Sequence, residues 1–275
     1  RYYLLLRRIM LGLGNSLISA ASLGEDFGVN HSLEFDGSND EVDFTTSAFQ
    51  TALADGNFKL TGSVSIWARV NTTSSNGQMW DFAIDGDNRI QLQYKHGDDS
   101  FTGTYRAGGT NKIANHAPSG TQEGDGNFHH IVVTWDRASA NELKLYFDGS
   151  LQTTTTLTAT LTGDFDDTAD GTLGQDGASG VEFLAGTSFN GNADYNGYLD
   201  DFAVYSTVLS SSEVTTLYNS GTSDQTNVDT VGTIVAHWTF NEGTGTTVTD
   251  RINGFVGTFG SGSNAPTFST TNAGA

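Results

Sequence analysis

The chain of 275 residues contains no cysteine. Disulfide scaffolds, thiolate metal sites and thiol catalysis are therefore excluded. Proline is almost as scarce, at 2 residues, so the turns must be made by the 34 glycines together with Asn and Asp. Basic residues are also few: 12 Lys and Arg stand against 32 Asp and Glu, giving a net charge of −20 and a pI near 4.3. That sign excludes a protein that tracks a nucleic-acid backbone and disfavours adsorption to an anionic membrane. No apolar run reaches the length of about 18 residues that a membrane-spanning helix needs. What is present is 36% hydrophobic and 11% aromatic, too apolar for a disordered chain. Gly-, Asn- and Asp-rich turns between Thr- and Val-rich segments describe an all-β protein.

Residues 1–24 differ from the rest. They carry Arg1, Arg7 and Arg8 and no acid, and crowd Leu4, Leu5, Leu6, Ile9, Met10, Leu11, Leu13, Leu17 and Ile18 together. Ser19-Ala20-Ala21 could end a signal peptide, but Arg7 and Arg8 split the apolar run. The segment is expected to be an assembly arm, with Leu4, Leu5, Leu6, Arg7, Arg8, Ile9, Leu11, Leu13, Leu17 and Ile18 buried against a neighbour. Met10, followed by Leu-Gly-Leu-Gly, offers an alternative natural start.

From residue 30 onward the pattern is strand and turn. Residues 31–35 and 42–44 flank an Asp36-Gly37-Ser38-Asn39-Asp40 turn. Residues 63–70 alternate, with Val64, Ile66, Ala68 and Val70 on one face and Ser65, Trp67 and Arg69 on the other. Strands are expected at 79–84, 90–94, 101–105, 128–135, 143–147, 198–205 and 234–240, with a tight hairpin at Asp148-Gly149. One helix is expected over 210–219, capped by Ser210, Ser211 or Ser212 and ended by Gly221. Many strands and one short helix predict two packed antiparallel sheets.

Four stretches carry a family resemblance: LEFDGSNDEVDF at 33–44, SVSIWARV at 63–70, FHHIVVTWDRASANELKLYFDGSLQ at 128–152 and GYLDDFAVYSTVLSSSEVTTLYNSG at 197–221. In order and spacing they resemble the laminin-G-like branch of the concanavalin A-like lectin/glucanase jelly rolls. The resemblance implies one jelly roll over 25–268, with its core at 30–221, a carboxyl-terminal strand segment at 234–268 and a tail at 269–275. One departure stands out. VAHWTFNEGTGTTVTDRINGFVGTF at 235–259 looks like the segment that usually precedes the opening strand, yet here it follows the closing helix. The short Gly- and Leu-rich amino terminus also resembles virion proteins of marine tailed bacteriophages.

Catalytic chemistry is weakly encoded. Glu34 and Asp36 share a strand face, as a glycosidase pair would, but position 38 is Ser and Gly37 breaks the strand. His129 and His130 lie inside a strand and read as structural. Calcium needs several oxygen ligands from turns. Asp36, Asn39 and Asp40 lie in the first turn, and the resemblance sets Asp200 and Asp201 of the closing strand beside the opening one. These five are the expected ligands of a structural calcium, with capping of its own turn as the alternative for Asp36. The cluster Asp164, Asp166, Asp167 and Asp170-Gly171 has Gly177 where an EF-hand has its bidentate Glu, and reads as a solvated loop. Trp80, Tyr94, Tyr105 and Tyr195 are candidate sugar-stacking aromatics, with core packing as the alternative.

The expected protein is non-enzymatic. It is a virion surface component of a bacteriophage, decoration or fibre, whose jelly roll points outward to cell-surface glycans. Its arm would dock on other virion proteins or on further copies of the chain, with no nucleic-acid or membrane partner. The alternative is a calcium-assisted carbohydrate-binding module of a secreted or cell-surface protein.

Overall fold

The computed structural model describes residues 30–116, 120–165, 181–188 and 193–274. The arm expected over 1–24, and Asp166, Asp167, Asp170, Gly171 and Gly177, lie outside them. The strands run, in chain order, β1 (Ser32–Asp36), β2 (Val42–Asp43), β3 (Thr61–Val70), β4 (Gly77–Asp85), β5 (Asn88–Lys95), β6 (Ser100–Ala107), β7 (Thr110–Asn115), β8 (His129–Asp136), β9 (Glu142–Phe147), β10 (Ser150–Thr156), β11 (Glu182–Ala185), β12 (Asn196–Tyr205), β13 (Ile234–Trp238), β14 (Thr247–Thr249), β15 (Val256–Phe259) and β16 (Thr267–Ser269). They form the expected all-β, two-sheet antiparallel sandwich. The first sheet has the order β10-β9-β8-β3-β12-β1-β16, with β13 also paired to β12, and the second has the order β14-β15-β2-β11-β4-β5-β6-β7.

Between the sheets lies an aromatic core. Trp80, Trp135, Trp238, Tyr94, Tyr105, Tyr195, Phe35, Phe44 and Phe82 are all fully buried. A helix that the pattern does not signal, α1 (Ser47–Asp55), is capped by the Thr46 hydroxyl, which accepts the Phe49 N–H at 3.3 Å. Its Phe49 ring lies 5.2 to 6.1 Å from Phe82, Phe183, Trp238 and Phe255.

Part of the outer face of the first sheet is also buried. Helix α2 (Ser211–Tyr218) presses Val214 and Leu217 onto Val132, Tyr146, Ala203 and Tyr205. Ser210 caps it in a reciprocal box with Glu213. Asn219 in the left-handed region, not Gly221, ends it. Next come the short helix α3 (Gln225–Val228) and β13. The displaced carboxyl-terminal segment pairs with its own sandwich, setting Trp238 opposite Phe202 and Ala236 opposite Val204.

Strand β12 changes partner along one edge. Its first half lies against β1, with Leu33 opposite Leu199, and its second half against β13. Strands β1 and β13 thus lie end to end, and Asp200 and Asp201 occupy the seam between them. The ladder to β3 shifts register there, and Asp201 takes φ +43°.

Candidate functional site

Two polar sites emerge from this architecture. The first is the seam. Asp200 accepts the Asp201 N–H on Oδ1 and the Ala273 N–H on Oδ2, each at 2.8 Å. Burial, followed by the adjacent Asp201 charge, pushes the Asp200 carboxyl well above the usual range. His237 is fully buried and its Nε2 lies 3.1 Å from Asp201 Oδ1. The Arg251 Nε–H donates to His237 Nδ1 at 2.9 Å. An arginine can only donate, so Nδ1 is the bare nitrogen and Nε2–H donates to Asp201. Arg251 is held in turn by Asp229. A cleft of about 330 Å³ opens over the two aspartates, lined also by Asn30, Asn219, Asp224 and Asn241.

The second site is the outward face of the second sheet. In β5, Ile90, Leu92 and Tyr94 enter the core, so Arg89, Gln91, Gln93 and Lys95 face out. In β6, Phe101, Tyr105 and Ala107 enter the core, so Thr102, Thr104 and Arg106 face out. Register sets Gln91 opposite Thr104 and Arg89 opposite Arg106. Arg89 Nη1 lies 3.3 Å from Asp81 Oδ2, and Arg106 Nη2 lies 2.9 Å from Asp87 Oδ1. Arg106 Nη1 also donates to Asn111 Oδ1 at 3.1 Å. Gln91 Oε1 and the Nε atoms of both arginines are buried without a hydrogen-bond partner.

The aromatic candidates are corrected by the core. Trp80 is fully buried, and Tyr94, Tyr105 and Tyr195 are each 1% exposed, so none presents a face to a sugar. Tyr94 OH donates to Asp99 at 2.7 Å with Glu123 Oε2 3.1 Å away, Tyr105 OH to the Lys59 carbonyl, and Tyr195 OH to the Arg69 carbonyl. Each phenol is thus a core ring whose hydroxyl reaches an internal acceptor.

The five expected calcium ligands do not form one site. Asp36 lies opposite Asn196, whereas Asp200 is four residues further along β12, a separation of about 13 Å at strand rise. Within the first turn, Asp36 Oδ1 accepts the Ser38 N–H, Asp40 Oδ2 accepts the Asp36 N–H, and Asn39 takes φ +66°. The turn uses its own acids as caps. Among the described residues no three His or carboxylate side chains converge as a metal cluster. Of the five, only Asp200 and Asp201 line the seam cleft.

Other expected residues have structural roles. His129 sits between Asp148 and Asp125, at 2.9 and 3.1 Å. His130 bonds the Ser65 hydroxyl at 2.8 Å, and burial pulls its pKa down to about 3. Glu34 accepts from Tyr198 OH, and Asp164 pairs with Lys59. Sequence reading missed Arg89, Gln91 and Arg106, although the absence of acids from β5 was a readable signal. It also missed Asn30, Asp224 and Asn241, which only the fold brings to Asp200.

A family model described as the concanavalin A-like lectin/glucanases superfamily, Laminin_G_3, matches residues 36–215. No curated protein matches the sequence. Among solved structures, one similar fold is a protein from Bacteroides ovatus for which carbohydrate binding is inferred. It has a TM-score of 0.55 and 14% identity, over 88% of this chain and 60% of that one. This chain therefore spans about three-fifths of that protein's length. Another is the CBM40 of the Ruminococcus gnavus IT-sialidase bound to α2,3-sialyllactose, with a TM-score of 0.50 and 14% identity, over 68% of this chain and 96% of that one.

Proposed function

We propose, since the chain belongs to the concanavalin A-like lectin/glucanases superfamily, that it is a non-enzymatic glycan-binding domain whose ligand lies on the outward face of the second sheet. The observation that carries this reading is the outward polar row of Arg89, Gln91, Thr104 and Arg106, in which the two arginine side chains stay 18% and 25% exposed. Gln91 Oε1 and the Nε atoms of both arginines have no partner within that row, whereas buried polar groups are normally satisfied. Both similar folds described above concern carbohydrate binding. The one acid pair that the sequence offered for hydrolysis has structural partners: Glu34 accepts from Tyr198 OH, and Asp36 caps its own turn.

The reading extends to setting and cofactor. The domain serves as the outward module of a bacteriophage decoration or fibre protein, with residues 1–24 as its attachment to other virion proteins or to further copies. The apolar, arginine-bearing composition of that segment supports this role. A calcium ion in the seam cleft would be held by Asp200 and Asp201 and would neutralise two buried carboxylates, with Asn30, Asp224 and Asn241 elsewhere in the cleft lining. Its role is structural, so the melting temperature of the full chain should rise with calcium and fall with chelator. An Asp201→Asn variant should respond to neither, and a wild-type melt unchanged by both would remove calcium from the reading.

The function is tested by screening the full chain on a glycan array, with reducing-end release as the control for hydrolysis. Binding without release is the expected result. Release of reducing ends, or silence across neutral and acidic glycans alike, would refute the reading.

A further inference from the structure

The charge of this protein is unevenly placed. Strands β5, β6 and β7 carry Arg89, Lys95, Arg106 and Lys112 and not one Asp or Glu, in a chain with 32 acids and only 12 bases. On the outward face Arg89 stands directly opposite Arg106. Like charges directly opposite each other on adjacent strands destabilise a sheet. Each guanidinium has a carboxylate neighbour, yet the Nε–H of each is buried and unanswered. Their side chains remain 18% and 25% exposed, so part of each reaches solvent. Beside them lie Gln91, whose Oε1 lacks a donor, and Thr104 across the ladder.

Resting on the glycan-binding reading above, we propose that the Arg89–Arg106 pair is an anion subsite that takes the carboxylate or sulfate group of an acidic sugar. An anion between two opposed guanidiniums removes their repulsion and accepts their charge-assisted hydrogen bonds. Gln91 and Thr104 then serve the neighbouring hydroxyls, Gln91 Oε1 as acceptor. The net charge of −20 does not forbid this. Screening over about 8–10 Å at physiological salt leaves local charges to decide. A nucleic acid is a poorer occupant, because four bases cannot neutralise a dense run of phosphates.

The test is affinity electrophoresis of the full chain through gels containing polygalacturonate, dextran sulfate or dextran, alongside an array of neutral glycans. At least one acidic polymer should retard the chain, with retardation falling as salt rises, and dextran should not. Arg106→Gln should weaken the retardation at least fivefold, and its partner Asp87 is exposed, so folding is spared. Gln91→Ala should weaken it less, and Lys144→Gln, on β9 and far from the pair, should leave it unchanged. Equal loss in Arg106→Gln and Lys144→Gln, or no loss in Arg106→Gln, would overturn the subsite. Binding confined to neutral glycans would overturn the anion while sparing the glycan-binding reading. Binding to neither class would overturn both.

Discussion

Replacing Trp238 by alanine tests whether the displaced carboxyl-terminal segment is part of the core. Trp238 is fully buried, its ring 4.3 Å from Phe44, 5.2 Å from Phe49 and 5.7 Å from Phe202. Its Nε1–H donates to the Phe255 carbonyl at 3.1 Å, tying β13 to the loop before β15. Truncating a buried Trp to Ala costs about 3–5 kcal/mol through lost transfer energy and the cavity left behind. Against a domain stability of about 5–15 kcal/mol, that is a large fraction of the whole. Urea unfolding followed by far-UV circular dichroism should show the midpoint falling by about 1–2 M with an unchanged slope. Trp238→Phe keeps most of the ring contacts and loses the hydrogen bond, so it should cost about 1–2 kcal/mol. A Trp238→Ala loss below about 1 kcal/mol would refute the reasoning, because a residue of the cooperative core cannot be removed so cheaply.

Three further outcomes follow from local chemistry. Burial opposes charge on His129, but Asp148 and Asp125 outweigh it and raise its pKa. Its stabilisation is therefore complete below the unfolded value of about 6.5 and lost as pH rises through the higher folded value. The stability gap between wild type and His129→Asn should be widest near pH 5–6 and should narrow on the alkaline side. His130 behaves oppositely: burial holds it neutral down to about 3, so acidification from about pH 6.5 should remove up to about 5 kcal/mol, a dependence that His130→Gln should lack. Gly186 has φ +89°, and a Cβ there would lie 2.2 Å from Phe35 and 2.7 Å from the Asp40 carbonyl. Gly186→Ala should cost about 2–4 kcal/mol in a urea melt, whereas Gly108→Ala, at φ +53° in open space, should cost only about 1–2.

Strands bounded by clear turn residues were legible in the sequence, β8 among them although it is buried on both faces. In β8 and β9 the apolar residues, the Asp148-Gly149 turn and the flanking polar positions all agree, and the ladder forms as read. The helix at 210–219 announced itself through Ser210 and Glu213, and only its last turn was misjudged. Helix α1 escaped because Ser-Ala-Phe-Gln-Thr-Ala-Leu-Ala-Asp is short and lacks an acid in its first turn. Strand β7 escaped because its residues are mostly exposed polar ones, which carry no burial pattern, and β10, equally polar, was signalled only by the Asp148-Gly149 hairpin turn that precedes it. The aromatic candidates failed for a different reason. Strand β4 is buried on both faces, so alternation around Trp80 cannot say which side meets water. Asp200 and Asp201 were visible as two acids inside an apolar strand. Their separation from Asp36 needed the register, as did the meeting of Arg89 with Arg106.

The edge where β1 and β13 share β12 also sets a timetable. Ser32 is paired with Ser269, and the second half of β12 waits for residues 234–238. During synthesis at about 5–20 residues per second, β1 stays without its outer partner, β16, until the last strands emerge. The loop-closure entropy of such distant pairings precedes any contact energy, which places this domain among slow folders of high contact order. Until the late strands dock, Phe44 and Phe202 lack the Trp238 ring that covers them, and the nascent sandwich has an open, sticky seam. Refolding should accordingly be limited by capture of residues 234–269, and aggregation should compete at that step.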